Sequence, residues 1–275
     1  MSASLDRGII DELNGFPNAP TVMNEALFGY RHVKPYLDRL PPGARVLEIG
    51  AGPCVLLSQL AADYPALALA GVEPIGPGFD LFRPILERLT RTYGFTLHQS
   101  SYEVLPEEPG FDLIYLVNVF EHLPDWRAFL LFAKARLNPG GRCVVLCPNY
   151  AFPYESHFRL PIIVNKRVTH ALFRGRIARF ERDQDHAGLW QSLNMVRMGA
   201  VKRFCRRNGL AVRNIPAIVA EMIERLDSDP AFKQRQALIG AATTFFRRIG
   251  LLRLLSSPAM ENIHPYMQLE LTRAV

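Results

Sequence analysis

Residues 46–53 read Val-Leu-Glu-Ile-Gly-Ala-Gly-Pro, an apolar strand end that runs directly into a turn bearing two glycines. Leu56, Leu57 and Leu60 then recur at helical spacing. A chain that joins strand to helix this tightly is restricted to few folds. Gly50 and Gly52 permit positive φ and let a ligand approach bare backbone. In an open α/β sheet, nucleotide-like ligands sit where strand C-termini face helix N-termini. A dinucleotide fingerprint needs a third glycine so that helix and strand pack closely, and that position is Val55 here.

The pattern repeats downstream. Residues 67–73 read Leu-Ala-Leu-Ala-Gly-Val-Glu, a strand ending in a carboxylate. Glu73 lies 21 residues beyond Gly52, and an acid about 20 residues past the glycine turn is placed to accept hydrogen bonds from ribose hydroxyls. Residues 111–125 read Phe-Asp-Leu-Ile-Tyr-Leu-Val-Asn-Val-Phe-Glu-His-Leu-Pro-Asp, an apolar strand with polar groups at its C-terminal end. The run Asn138-Pro139-Gly140-Gly141 turns a helix into another strand. Strands are predicted at 44–49, 67–73, 95–99, 111–117 and 141–147, with helices at 54–63, 79–93 and 125–137. Such alternation implies a parallel sheet with helices on both faces. Right-handed crossovers then put every strand C-terminus on one edge. Beyond 195 the pattern predicts a helix at 197–208 stopped by Gly209, a strand at 210–215 and a helix start at 227–230. Helices follow over 230–256. Over 266–272, Met267, Leu269 and Leu271 alternate with Gln268, Glu270 and Thr272, a period-2 strand.

Four motifs in order, Glu48-Ile-Gly-Ala-Gly52, Val72-Glu73, Glu121-His122-Leu-Pro-Asp125 and Leu137-Asn-Pro-Gly-Gly141, give the chain its resemblance. It resembles a class I S-adenosylmethionine-dependent methyltransferase of the broad group that includes quinone-biosynthesis O-methyltransferases. The resemblance covers residues 40–150, with a weaker match at 195–275. It implies a Rossmann-like, seven-stranded, mostly parallel sheet with an antiparallel last strand, helices on both faces and helical lid insertions. A helical leader at 1–40 would precede the methyltransferase domain at 41–275, with lids at 149–195 and 217–260. In the family such a leader covers the cofactor, so Tyr30, Arg31 and His32 are within its expected reach. The resemblance also implies that Glu48 and the turn Gly50, Ala51, Gly52 and Pro53 hold the methionine part of S-adenosylmethionine. Glu73, with Pro74 beside it, would hold the ribose, and Asn118 and Val119 would line the cofactor near the reacting centre. Two departures stand out. Ser101 occupies a position where relatives often place an acid beside the adenine amine, with Tyr102 next to it to pack on the ring. Cys54 replaces the last glycine of the turn motif.

Methyl transfer needs no enzyme nucleophile; it needs acceptor, methyl and sulfur held in line, which in favourable cases is worth on the order of 7–11 kcal/mol. An alcohol or phenol acceptor also loses a proton, and histidine is suited to take it. His122 and His157 are the candidates; surface, packing or helix-start roles are the plainer alternatives for both. The acceptor is expected to be small or lipid-like, methylated on oxygen. An RNA methyltransferase, or a binding module that has lost its chemistry, are the alternatives. Nucleobase amino-methylation usually carries Asn/Asp-Pro-Pro-aromatic where this chain has Asn118-Val-Phe-Glu121. Cytosine C5 chemistry would need a nucleophilic cysteine, and Cys147-Pro148 reads better as a core thiol at a strand end.

Composition sets the remaining bounds. At 49% apolar over 275 residues the chain can bury a sizeable core. It has no apolar run long enough to span a membrane and no signal-peptide pattern at its start. Cys54, Cys143, Cys147 and Cys205 show no metal-ligand or disulfide spacing, so no metal is expected and a reducing, cytoplasmic setting fits. Charge is uneven: residues 1–160 hold 13 Lys and Arg against 17 Asp and Glu, whereas residues 161–275 hold 19 against 9. Solvated helix faces explain this; so does an anionic acceptor or peripheral contact of the basic C-terminal half with a membrane. An apolar helix side at Phe245, Phe246, Ile249 and Leu252 would serve either the core or that membrane. Nucleic acid is disfavoured because no aromatic–basic interleaving of an RNA-binding module is visible.

Overall fold

The computed structural model describes residues 4–16, 18–74, 82–106, 110–184, 186–228 and 258–274, with residues 240, 244 and 248. The elements run α1 (Arg7–Glu12), α2 (Ala19–Leu37), β1 (Arg45–Ile49), α3 (Val55–Asp63), β2 (Ala68–Val72), α4 (Arg83–Tyr93), β3 (Thr96–His98), β4 (Phe111–Val117), α5 (Trp126–Arg136) and β5 (Leu137–Pro148). There follow β6 (Tyr154–Glu155), β7 (Leu160–Pro161), α6 (Lys166–Asp183), α7 (Leu189–Ser192), α8 (Met198–Arg207), β8 (Leu210–Asn214), α9 (Ala217–Ser228) and β9 (Tyr266–Arg273). Seven strands form one sheet in the order β3-β2-β1-β4-β5-β9-β8, and β6 and β7 form a separate antiparallel pair. The main sheet is mixed, mostly parallel with its last strands antiparallel, as the Rossmann-like expectation requires. The last strand in sequence lies between β5 and β8.

By compactness the chain divides into two units, each described by itself. Residues 1–119, 130–144 and 271–275 form the first, and residues 120–129 and 145–270 the second. In the first, β1 pairs in parallel with β2 and with β4, and β2 with β3. Ile49 stands opposite both Val72 and Leu116. The three strands therefore end nearly level, and the residues that follow each of them emerge along one edge. Helix α3 lies so close to β2 that a Cβ on Gly71 would stand 2.7 Å from Leu57 Cδ2. Helix α2 approaches α3 equally closely at Gly29, where a Cβ would meet Leu56 Cδ2 at 2.7 Å. The Asp112 carboxylate ties the strand starts together, accepting from the Arg45 amide at 2.8 Å and from Asn138 Nδ2 at 2.9 Å.

In the second unit an aromatic cluster of Tyr150, Phe158, Leu160, Ile177, Trp190 and Leu193 is the core under α6. Asn149, 1% exposed, acts as a polar clamp. Its Nδ2 donates to the carbonyls of Asn262 (3.0 Å) and His264 (2.9 Å), and its Oδ1 accepts from the amides of Ala151 (3.2 Å) and Met198 (3.1 Å).

One sequence expectation needs correction. Strand β5 begins at Leu137 and takes in the Asn-Pro-Gly-Gly run, with Gly140 at φ 80°, so this run is the strand's bent start and not a separate connector. Asp227 and Ser228 lie in α9 (Ala217–Ser228), and the rest of the helix start expected at 227–230 lies outside the described residues. The strand expected at 266–272 is present as β9, where Gln268 and Glu270 are buried along with Met267 and Leu269. Glu270 is paired there with Arg213 at 2.9 Å. The segment with Phe245, Phe246, Ile249 and Leu252 lies outside the described residues, as does most of the expected lid at 217–260. No described helix is long and apolar enough to cross a membrane.

Replacing Asn149 with Ala strands two carbonyls and two amides in one buried place. The expected loss is about 2–4 kcal/mol of unfolding free energy, read from urea denaturation; a loss within the error of the fit would show that water replaces the clamp.

Candidate functional site

The turn between β1 and α3 has left-handed backbone at Gly50 (φ 71°), Gly52 (φ 52°) and Cys54 (φ 62°). Both the Gly50 and Ala51 amides donate to the Val72 carbonyl, at 2.8 and 3.1 Å, which fixes the turn to the end of β2. The two glycines serve different ends. A Cβ on Gly50 would sit 2.4 Å from Val119 Cγ2, so its bare side is filled by protein, whereas a Cβ on Gly52 would meet nothing within 4 Å. Only Gly52 keeps its backbone open to a ligand. No side chain caps the start of α3, and its first amides point into the same region.

Two carboxylates border this turn. Glu73, buried, accepts from the Gly52 amide at 2.8 Å. Burial pushes its carboxyl above the usual range, and that hydrogen bond pulls it partly back. Glu48 is pushed up to about 8 by burial, with the charge of Glu73 adding to the rise and the nearby Tyr115 hydroxyl opposing it. Its Oε2 is buried with no hydrogen-bond partner among the described residues. Cys54 is fully buried, and burial, then Glu48 and Glu73, hold its thiol protonated.

The structure thus brings Glu48, Gly50, Ala51, Gly52, Glu73 and Val119 together. Pro53 is half-buried in the turn, Pro74 is exposed just past Glu73, and Asn118 takes left-handed backbone (φ 56°) after β4. Ser101 lies beyond β3 and leads into a short helical turn, without a side-chain cap bond there. Tyr102 is buried and its ring packs on Phe132 at 5.0 Å, which makes it part of the interior and leaves it little face to offer an adenine ring. Of the leader residues, Tyr30 donates to Asp63 at the far end of α3 and His32 packs on Phe28. They hold α2 in place.

The second unit holds both histidines. His157 Nδ1 is 2.6 Å from Oε1 of Glu155, a carboxylate with no exposed surface. Glu155 Oε2 accepts from the Phe158 amide at 2.7 Å. Burial raises the Glu155 carboxyl, but the His157 charge, its hydrogen bond and the backbone donors outweigh this and leave it below the usual range. His122 stands edge-on to His157 with ring centroids 5.4 Å apart, and its Nδ1 is 2.9 Å from Ser192 Oγ. Burial and the neighbouring His157 lower His122 to about 4. Near neutral pH it is uncharged and a weak base. Glu121, His122 and His157 place ligand atoms within 4.8 Å of one another, a donor set that could hold a divalent ion. No spacing rule reveals it, since His122 and His157 are 35 residues apart. Glu155 was equally hidden, although it sits two residues from His157. Cys147 is buried near Glu121, and burial pushes its thiol well up, so it is no nucleophile.

Residues 24–214 match a family model described as a methyltransferase domain. An uncharacterized protein of Mycobacterium tuberculosis is 36% identical over 218 residues, covering 78% of this chain and 73% of that one. A ubiquinone biosynthesis O-methyltransferase of Xanthomonas campestris pv. campestris is 26% identical over 145 residues, 49% of this chain; the chain spans 54% of that protein. Among solved structures, a mycolic acid cyclopropane synthase complexed with S-adenosylhomocysteine superposes with TM-score 0.53 at 15% identity, covering 90% of this chain and 84% of that one, and shows the fold is shared.

The raised Glu48 has a signature in the unliganded protein. Its folded pKa (about 8) exceeds the ordinary 4.5, so between those values the folded state holds the extra proton and stability falls as pH rises. Glu48→Gln is expected to be the more stable protein above pH 5 and to flatten this slope, which for one proton is at most about 1.4 kcal/mol per pH unit. Denaturation midpoints of both proteins across that window test it; parallel curves would mean that Glu48 titrates normally.

Proposed function

The chain belongs to the methyltransferase-domain family, and from that premise we propose that it methylates an oxygen of a small or lipid-like acceptor, anionic in keeping with the basic C-terminal half. It is a methyltransferase that uses S-adenosylmethionine. The bound cofactor supplies a methyl group displaced in line from its sulfonium sulfur. The observation that carries the reading is the pairing of an open Gly52 with two buried acids, one of them with an orphaned oxygen. These residues fit the cofactor. Glu48 offers an acceptor to the cationic methionine part, Glu73 suits the ribose hydroxyls, and Gly52 with Ala51 and Pro53 leaves the backbone accessible between them. Val119 limits the turn from behind by filling the bare side of Gly50.

Residues 149–195 serve the acceptor in this reading. His157 Nδ1 lies 2.6 Å from Glu155 Oε1, and in this reading the imidazole takes the acceptor's proton. Glu155 is a positioning residue: its carboxylate fixes the ring. His122 is unsuited to this task because it stays neutral with little basicity. The donor set of Glu121, His122 and His157 supports a second reading, in which a divalent ion holds the acceptor oxygen. Turnover that survives a chelator discards that version. A reducing cytoplasmic setting belongs to the proposal, since all four cysteines are buried and free.

The first test is calorimetric titration with S-adenosylhomocysteine, with NAD as the control; tighter binding of NAD overturns the cofactor assignment. Glu73→Gln should weaken cofactor binding by about 1.5–3 kcal/mol, the worth of hydrogen bonds to a charged group. Gly52→Val should be worse while keeping the fold. For the acceptor, extracts incubated with methyl-labelled cofactor should yield one labelled O-methyl product. On that product's precursor, His157→Ala should lose turnover on the order of 100-fold or more with cofactor affinity unchanged. Equal turnover by mutant and parent at every pH removes His157 from the reaction.

A further inference from the structure

Helix α6 has two apolar faces, and only one of them is used by the core. Phe173, Ile177 and Phe180 point into the aromatic cluster, with buried Thr169 on the same side. The other side carries Val168, 37% exposed, and Leu172, 63% exposed, one turn apart. Val164, 78% exposed, precedes them in the turn that leads into the helix. Six large hydrophobic residues are prominently exposed among the described residues, and these are three of them; chance scatter over the surface would not gather half on one stripe. Val164 also has φ 60°, a region that disfavours β-branched residues. The turn is held firmly: Asn165 Oδ1 accepts from the Val168 amide at 3.0 Å, and Thr169 Oγ1 bonds both the amide (2.8 Å) and the carbonyl (3.2 Å) of Ile163.

Arginines frame the stripe. At about 100° per residue, Arg179 falls on the line of the stripe, with Arg176 and Arg182 to either side of it, while Arg167 and Arg174 lie farther round the helix; all five are exposed. One acid offsets one of them. Glu181 accepts from the Trp190 amide at 2.8 Å, and Asp183 lies 3.6 Å from Arg182. An exposed apolar line set among arginines matches the surface of an anionic bilayer. Val164, Val168 and Leu172 would enter the headgroup boundary while the long arginine stems reach back to phosphates.

We propose that this face of α6 docks the protein on anionic membrane. A polyanion such as RNA would satisfy the arginines but gain nothing from an exposed Leu and two Val, which is why a bilayer is favoured. The proposal does not depend on the acceptor and stands or falls without any methyl transfer.

The test is co-sedimentation of the full chain with vesicles of phosphatidylglycerol mixed with phosphatidylcholine, and with phosphatidylcholine alone, at low and physiological salt. Binding is expected to the anionic vesicles only, weakened by salt. Arg176→Gln with Arg179→Gln should lower the partition by roughly fivefold per arginine. Leu172→Asp should lower it at both salt concentrations, and circular dichroism should be unchanged because Leu172 touches no core. Soluble glycerol phosphate should not compete, since a headgroup alone lacks the apolar contact. No binding at low salt overturns the proposal. So does full binding by Leu172→Asp, displacement by glycerol phosphate, or capture by RNA without capture by vesicles.

Discussion

The turn from Gly50 to Cys54 is the constraint on which the cofactor side of the molecule depends. Three residues there take left-handed backbone, and three amides are fixed by the end of β2: Gly50 and Ala51 on the Val72 carbonyl, Gly52 on Glu73. The Glu73 amide is in turn held by the His98 carbonyl at 3.0 Å. The turn is therefore positioned by neighbouring strands, and its geometry follows from the level ends of β1, β2 and β4. Cys54 shows how strict this is. It stands where the related motif has a third glycine, yet the backbone keeps the glycine conformation, at a cost of about 1–2 kcal/mol for a residue with a Cβ. Complete burial of its side chain offsets that cost.

Burial alone does not decide what a carboxylate does in this chain. Glu48 and Glu155 are both buried, yet their acidities move in opposite directions. Glu155 has an imidazole at 2.6 Å and a backbone amide at 2.7 Å, enough to outweigh desolvation. Glu48 has one orphaned oxygen and a like-charged neighbour. The first is a finished structural pair whose value lies in orienting a ring. The second is an incomplete one: the cost of its ionisation is relieved when a cation arrives. In the unliganded protein an acid in that state is protonated at neutral pH, so binding a cationic ligand is coupled to release of a proton.

The alternation of strands and helices up to residue 148 was legible because it is local: apolar runs, glycine turns and the spacing from Gly52 to Glu73 are all set within single βα units. The predicted strand at 111–117 matches β4 end for end. The positive φ at Gly50 and Gly52 was equally readable, but their division of labour was not, since it depends on Val119, 69 residues from Gly50. The surroundings of Tyr102 were unreadable for the same reason; its neighbour Phe132 comes from α5. Beyond residue 148 the signals fail. Asn149 makes its bonds to residues 49 and more than 100 positions away, and no periodicity encodes a clamp. Helix α6 is a different case: apolar residues on two faces blur the single stripe that marks an amphipathic helix.

This contrast explains why the donor could be read and the acceptor could not. The residues proposed for the cofactor lie in backbone turns and strand-end acids, whose sequence requirements are narrow: few residues tolerate φ above zero. The second unit around residues 149–195 is built from side-chain pairs such as Glu155 with His157 and His122 with Ser192, together with the aromatic cluster of Tyr150, Phe158 and Trp190. Each pair needs only a donor, an acceptor and a rigid neighbour, a demand that many sequences meet. A fold of this kind can hold its donor site nearly constant while the shape and charge of the acceptor side change, because the level strand ends that fix the turn do not depend on which residues fill 149–195.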